Sequence, residues 1–259
     1  MFDKVYPIPA FADNYIWALI DSGSRQVCVV DPGDAAPVLA YLDSQDLSLA
    51  QIVITHHHPD HTGGIAALVK ACQVPVYGPD NPRISGITHR LAENDSVDIL
   101  GVEFSVLEVP GHTLDHIAYF SSAAQQPVLF CGDTLFAAGC GRLFEGTAVQ
   151  MLASLNKLAS LPGDTLVYCT HEYTLANLGF ALAAEPENAA LQQRAVDEKA
   201  KRDSGLPTLP SSIDLELATN PFLRCDQQGI KVQVAGQTNQ AVTDLGSTFA
   251  ALRQWKDIF

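Results

Sequence analysis

Short apolar runs separated by polar turns fill the first two thirds of the chain. Runs that are apolar throughout or at alternate positions predict strands, and apolar residues at a spacing of three and four predict helices. The first two strands predict a hairpin around Ser22-Gly23-Ser24. The predicted strands are residues 16–21, 27–31, 51–55, 74–77, 96–99, 102–109, 117–120, 128–131 and 165–169, and the predicted helices are residues 35–42, 62–72 and 149–161.

The pattern changes after about residue 172. Residues 175–184, residues 189–201 and the last twenty residues have helical patterns, and residues 205–212 contain two prolines and predict a loop. Strands that do not alternate strictly with helices indicate sheets with helices outside them. The sequence therefore predicts an α+β fold with two domains, residues 1–172 and residues 173–259, of which the second is helical.

Composition limits the class of protein. A chain of 259 residues that is 47% hydrophobic can form one large domain and a small appendage. No apolar run is long enough for a transmembrane helix, and the beginning of the chain lacks the features of a secretory signal. The six cysteines form no CxxC pair. We expect a cytoplasmic protein with reduced cysteines.

Charge limits the partners. The net charge of −14 argues against nucleic acid and against an anionic membrane surface. An anionic small molecule remains compatible with it, because a local cluster of Arg and Lys acts over a few ångströms. We expect a monomer that binds a small molecule.

The segment from Thr55 to His61, THHHPDH, carries the strongest chemical signal. It directly follows a predicted strand, where positions i and i+2 point the same way. His56 and His58 can therefore share one metal ion, while His57 points elsewhere. Asp60 and His61, at the start of the next helix, can face a second ion.

Three further candidate ligands follow other strands. His112, Asp133 and His171 each lie shortly beyond the end of a short apolar run, where a sheet can present side chains to one site. Seven ligands are too many for one tetrahedral zinc ion, and they favour two metals with a bridging carboxylate and a bound water.

Other interpretations remain for single residues. A lone histidine beside a strand is usually structural, and a purely structural zinc site commonly contains cysteine. His57, His89 and His116 are assigned to packing or to support of a ligand. Asp31 either orients a ligand histidine or is an ordinary turn aspartate before Pro32-Gly33.

These motifs and their order resemble the metallo-β-lactamase superfamily, whose signature is THxHxDH. Within it the chain is similar, over essentially its whole length, to the glyoxalase II (hydroxyacylglutathione hydrolase) family. The segments that carry this closer likeness are Asp13-Asn14-Tyr15, Ala138-Gly139-Cys140-Gly141-Arg142, His171-Glu172-Tyr173-Thr174, Asn220-Pro221-Phe222 and the ending LRQWKDIF.

The resemblance implies an αββα sandwich as the catalytic domain, followed by a small C-terminal helical domain that binds substrate. It implies hydrolysis of a 2-hydroxyacyl thioester of glutathione, chiefly S-D-lactoylglutathione, by hydroxide held between two divalent ions, most simply Zn, with Fe or Mn as alternatives. His56, His58 and His112 would hold metal 1, Asp60, His61 and His171 would hold metal 2, and Asp133 would bridge, so that Asp60 and Asp133 are the catalytic carboxylates. Arg142, Tyr173, Arg253 and Lys256 would contact the glutathione part.

One residue departs from the family pattern. Phe144 stands where some members have Tyr, so a hydroxyl contact to substrate is expected to be absent and affinity to depend more on Arg253 and Lys256. Two other functions remain open at this point. One is a persulfide dioxygenase with a single iron, and the other is a non-catalytic metal-binding protein on the same fold. Arg253 and Lys256, three residues apart and so on one face of a helix, favour the thioesterase.

Overall fold

The chain forms two units in the computed structural model, which describes residues 1–259. Unit 1 comprises Met1–Glu108 and Asp115–Gly132, and unit 2 comprises Val109–Leu114 and Asp133–Phe259. The elements of unit 1 are β1 Lys4–Ala10, β2 Asn14–Asp21, β3 Gln26–Val30, α1 Ala35–Gln45, β4 Ser48–Val53, α2 Pro59–Thr62, α3 Ile65–Cys72, β5 Val76–Pro79, β6 His89–Leu91, β7 Ser96–Ile99, β8 Val102–Glu108, β9 Ile117–Ser121 and β10 Val128–Gly132.

Unit 1 begins with a six-stranded sheet in the order β1-β2-β3-β4-β5-β6. The strands β1, β2 and β3 pair antiparallel, which confirms the predicted hairpin, and β3 to β6 pair parallel. Carboxyl ends of parallel strands lie at the same edge of a sheet. Asp31, just after β3, and Thr55, shortly after β4, are therefore neighbours at that edge.

The helices α1 and α3 cover one face of this sheet. Val38 and Leu42 of α1 and Leu68 of α3 lie in one buried cluster with Val29 and Ile52 of the sheet. Asp34 caps α1 by accepting a hydrogen bond from the backbone N–H of Ala36. Burying these apolar side chains contributes most of the stability that holds the helices on the sheet.

The strands β7 to β10 form antiparallel pairs and contact the first sheet. The hydroxyl of Tyr119 on β9 donates to the carbonyl oxygen of Ile54 at 2.7 Å. The amide of Gln51 on β4 donates to the carbonyl oxygen of Asp98 at 3.0 Å. These contacts join β7 to β10 to the first sheet within unit 1.

Unit 2 is mainly helical. Capping boxes begin two of its helices, Thr147 with Gln150 in α4 and Asp244 with Ser247 in α9. Its elements are β11 Leu135–Phe136, β12 Gly139–Cys140, α4 Ala148–Ala159, β13 Leu166–Cys169, α5 Thr174–Ala184, α6 Ala189–Asp203, β14 Ser211–Ser212, α7 Ile213–Thr219, a 3₁₀ turn at Pro221–Leu223, α8 Gln228–Thr238 and α9 Leu245–Ile258.

The predicted α+β class and helical C-terminal region are confirmed. Local boundaries differ. The predicted helix over residues 62–72 is two helices, α2 and α3, separated by Gly63 and Gly64. The loop predicted for residues 205–212 ends in β14. The strand β1 and the helices α7 and α8 were not predicted. No helix of the chain has the length and apolarity to cross a membrane.

Candidate metal centre

Four predicted ligands lie together in unit 1, on the segment after β4. The Nε2 atom of His56 lies 3.1 Å from Nδ1 of His58. The Nε2 atom of His61, on the short helix α2, lies 3.4 Å from Oδ2 of Asp60. The rings of His56 and His61 have centroids 4.0 Å apart, so the two pairs are adjacent. Pro59 at the start of α2 produces the bend that turns Asp60 and His61 towards the first pair.

Asp31 fixes the orientation of two of these histidines. Its Oδ2 accepts from Nδ1 of His61 at 3.0 Å and from the hydroxyl of Thr55 at 2.7 Å. Because that hydroxyl proton goes to Asp31, the Thr55 oxygen is left to accept from Nδ1 of His56, at 3.1 Å. Both histidines therefore present Nε2 as the lone-pair nitrogen. These contacts favour the interpretation that Asp31 orients candidate ligand histidines over the interpretation that it is an ordinary turn aspartate.

Asn14 supports the carboxylate ligand. Its side-chain amide donates to Oδ2 of Asp60 at 3.0 Å. Asn14 lies in one of the segments that carry the family likeness, and no role was predicted for it. The available signal was an amide residue just before the predicted apolar strand of residues 16–21.

Three predicted ligands lie together in unit 2. Oδ2 of Asp133 is 3.4 Å from Nε2 of His112 and 3.2 Å from Nε2 of His171, and all three side chains are buried. Nδ1 of His112 donates to the carbonyl oxygen of Arg142 at 2.8 Å, which leaves Nε2 to act as a ligand. One carboxylate oxygen therefore faces two imidazoles.

The donor set suits a metal ion. Two ligand atoms on one tetrahedral zinc, each about 2.1 Å from it, lie roughly 3.4 Å apart. The four distances above, between 3.1 and 3.4 Å, match that separation. Imidazole and carboxylate ligands accept Zn, Fe and Mn alike.

Glycine at position 141 allows the backbone of Asp133 to approach closely beside this cluster. A Cβ atom there would lie 1.9 Å from the carbonyl oxygen of Asp133 and 3.2 Å from Nδ1 of His112. Any side chain at Gly141 would displace the backbone of a candidate ligand.

The remaining histidines take supporting or surface positions. Nδ1 of His57 donates to Asp115 at 2.8 Å and its Nε2 accepts from Arg83 at 2.8 Å, so His57 points away from the other two as predicted. His116 stacks on His56 with ring centroids 4.5 Å apart. His89 is exposed and stacks on Tyr77.

The four predicted glutathione contacts all lie in unit 2, and they differ in accessibility. Tyr173 is partly exposed and stacks on His171 with centroids 4.6 Å apart. Arg142 has 56% of its side chain exposed. Arg253 is only 5% exposed and donates from Nη1 to the carbonyl oxygen of Cys140 at 3.0 Å. Lys256 is half-buried, with Nζ 5.0 Å from the ring centroid of Phe180.

Burial changes the acid–base properties near these residues. Burial, followed by the charge of Arg253, lowers the pKa of Lys256 to about 8, while Cys140 and Asp257 act in the opposite direction. Burial raises the pKa of the Cys140 thiol, against the effect of Arg253. Cys140, which lies in β12, is therefore a poor nucleophile.

Phe144 lies at the edge of the cluster. Its side chain is 62% exposed, and its ring centroid is 5.2 Å from that of His112. The ring covers a ligand histidine without offering a hydrogen-bond donor.

Comparison with known families assigns both parts of the chain. Residues 16–171 match the model of the metallo-beta-lactamase superfamily, and residues 172–259 match the model described as the hydroxyacylglutathione hydrolase C-terminus. The structure titled TTHA1623 in a di-iron-bound form has 25% identity to the chain, with a TM-score of 0.61 over 85% of this chain and 100% of that one. The fold and the His and Asp clusters together support a site for two divalent metal ions.

Two curated relatives match over nearly their whole lengths. The hydroxyacylglutathione hydrolase of Nitrosomonas eutropha is 53% identical, covering 98% of both chains. That of Pseudomonas paraeruginosa is 54% identical, covering 99% of both. The chain therefore belongs to the hydroxyacylglutathione hydrolase family of the metallo-β-lactamase superfamily.

Proposed function

We propose that the protein hydrolyses S-D-lactoylglutathione to D-lactate and glutathione, a step in methylglyoxal detoxification. The observation that carries this proposal is that, within unit 2, two candidate metal ligands directly contact two candidate glutathione contacts. His112 donates to the backbone of Arg142, and His171 stacks on Tyr173. A thioester bound by its glutathione part at Arg142 and Tyr173 would thus have its carbonyl carbon close to Asp133.

The proposed ligand assignment uses all seven predicted residues. His56, His58 and His112 would hold metal 1, Asp60, His61 and His171 would hold metal 2, and Asp133 would be shared by the two ions. Zinc is the proposed metal, with Fe and Mn as alternatives that the same His and Asp ligands accept. Residues 1–172 are proposed as the catalytic domain and residues 173–259 as the substrate-binding domain of a cytoplasmic monomer.

Two divalent ions held there would supply a nucleophilic water at neutral pH and would polarise the thioester carbonyl. The protein contributes the geometry around them. Asp31 holds His61 in one tautomer directly and His56 through the hydroxyl of Thr55, and Asn14 donates to Asp60. Asp60 and Asp133 contribute the negative charge that the two ions require.

Hydrolysis forms a C–O bond and breaks the C–S bond. The glutathione thiol has a pKa of roughly 8.5, so it can leave as a thiolate without a general acid. The mechanism therefore requires no side chain in the cluster to protonate the leaving sulfur. Arg142 and Lys256 would bind the carboxylates of glutathione, which a protein of net charge −14 otherwise repels.

The proposal is tested with two thioesters that share the D-lactoyl group. One is S-D-lactoylglutathione, and the other carries N-acetylcysteamine in place of glutathione. We expect kcat/KM to be at least about a hundredfold higher for the glutathione thioester, because two charge-assisted contacts are lost in the other. Equal kcat/KM values for the two thioesters would show that the protein does not recognise glutathione.

The lowered pKa of Lys256 predicts a pH-dependent KM. Below about pH 8 the ammonium is charged and can bind a carboxylate, and above it the charge is lost. We expect KM for S-D-lactoylglutathione to rise roughly tenfold between pH 7 and pH 9. A Lys256→Arg variant stays charged over this range and should have a flat profile. A rise of the same size in both proteins would exclude Lys256 as its source.

A further inference from the structure

Asp257 connects two of the predicted glutathione contacts. Its Oδ1 accepts from Nη2 of Arg253 at 3.0 Å and from Nε of Arg142 at 3.3 Å. Its backbone carbonyl oxygen also accepts from Nη2 of Arg142 at 3.3 Å. Arg142 is thus joined to Arg253 through one carboxylate near the end of α9, 115 positions after Arg142 in the sequence.

The two arginines differ in what they can still bind. Arg253 is buried, its Nη1 donates to the carbonyl oxygen of Cys140, and its guanidinium lies 5.0 Å from the ring centroid of Phe222. An incoming anion would have to displace these contacts to reach it. Arg142 is more than half exposed and has further N–H donors besides the two that Asp257 accepts.

We propose that Asp257 is a positioning residue that acts through Arg142. The buried Arg253 anchors the Asp257 carboxylate, and that carboxylate fixes the guanidinium of Arg142 so that its free edge receives a carboxylate of glutathione. Arg253 then supports Arg142 through Asp257. This inference rests on the proposed function and specifies how one cation of the cluster is held in place for the anion.

The physical reason is the ordering of a long side chain. An exposed arginine without Asp257 samples many rotamers, and substrate must select one of them on binding. The opposing effect is charge, because removing the Asp257 carboxylate leaves the cluster more positive and attracts an anion more strongly. Salt screens that attraction between exposed groups, so at high ionic strength the ordering effect dominates.

The test is a double-mutant cycle with Asp257→Asn and Arg142→Ala in the metal-loaded enzyme. At 0.5 M NaCl we expect Asp257→Asn to raise KM for S-D-lactoylglutathione about threefold to tenfold, more than it lowers kcat. In the Arg142→Ala background the same substitution should change KM by less than twofold. Gln254→Ala, an exposed change one turn earlier on α9, is the control and should leave KM unchanged.

Isothermal titration calorimetry with glutathione itself measures Kd for the same four proteins of the double-mutant cycle, without turnover. A wild-type protein that binds glutathione but does not hydrolyse the thioester would contradict the proposed function, and the binding ratios would still decide the role of Asp257. An unchanged or lower KM and Kd in Asp257→Asn would overturn the inference. So would an equal rise in the Arg142→Ala background, which would indicate a structural role alone.

Discussion

Replacing Asp133 with alanine is expected to lower kcat/KM on S-D-lactoylglutathione by on the order of 10³-fold or more, and to reduce the bound metal. Asp133 is the carboxylate that lies within 3.4 Å of both His112 and His171, and it is buried. Its loss would remove the negative charge that the two proposed cations share. Without it, both the affinity for metal and the stabilisation of the transition state decrease.

The comparison is with Asp43→Ala, an exposed change on α1 that should leave activity and metal content as they are. Metal content is measured by elemental analysis of the purified proteins, and thermal unfolding establishes that each variant is folded. An Asp133→Ala protein that keeps two ions per chain and a tenth of the activity would contradict the bridging role.

The largest expected loss of stability follows replacement of Glu216 by glutamine. Glu216 is fully buried, and its Oε1 lies 2.6 Å from Nη2 of the buried Arg194. Its Oε2 accepts from the backbone N–H of Ala138 at 2.8 Å and from the amide of Asn220 at 2.9 Å. Both oxygens thus accept hydrogen bonds from donors. A glutamine at this position would have to point its own N–H groups at the donors on one side, and those hydrogen bonds would be lost.

Removing one partner leaves Arg194 as an uncompensated buried charge. We expect a loss of about 3–5 kcal/mol in the free energy of unfolding, which corresponds to a decrease of roughly 10 °C in the melting temperature. The matched control is Asp203→Ala. It breaks the exposed pair between Lys199 and Asp203 on α6, the helix that also carries Arg194. That pair should contribute less than about 1 kcal/mol. Equal losses in the two variants would argue against the buried pair as a determinant of stability.

The clustering of the candidate ligands could be predicted because metal chemistry restricts their type and strand geometry restricts their spacing. His56 and His58 alternate after β4, and the structure places their nitrogens 3.1 Å apart. Asp31 could not be assigned from the sequence, since an aspartate before Pro32-Gly33 suits a turn equally well. Its hydrogen bonds to Thr55 and His61 depend on the pairing of β3 with β4.

Other elements were missed for identifiable reasons. The strand β1 contains Pro7 and Pro9, which argue against a central strand, but β1 is an edge strand and its prolines need no partner on the open side. The helix α8 buries only Ile230 and Val234, too few to give an apolar face in the sequence.

The different roles of Arg253 and Lys256 could not be separated by their spacing. A spacing of three positions on α9 places Arg253 and Lys256 on one face of the helix, as expected. The burial of Arg253 depends on Cys140 and Phe222, which come from distant parts of the chain. Only tertiary packing distinguishes the buried anchor from the half-buried cation.

The central claim is tested most directly by measuring kcat/KM on S-D-lactoylglutathione against the number of metal ions bound per chain. Chelator-stripped protein is reloaded in steps with Zn, and each sample is analysed for metal and assayed at pH 7. We expect no turnover in the stripped protein and full activity at two ions per chain. Protein that contains two ions per chain and leaves the thioester intact, or stripped protein that hydrolyses it at the full rate, would contradict the account.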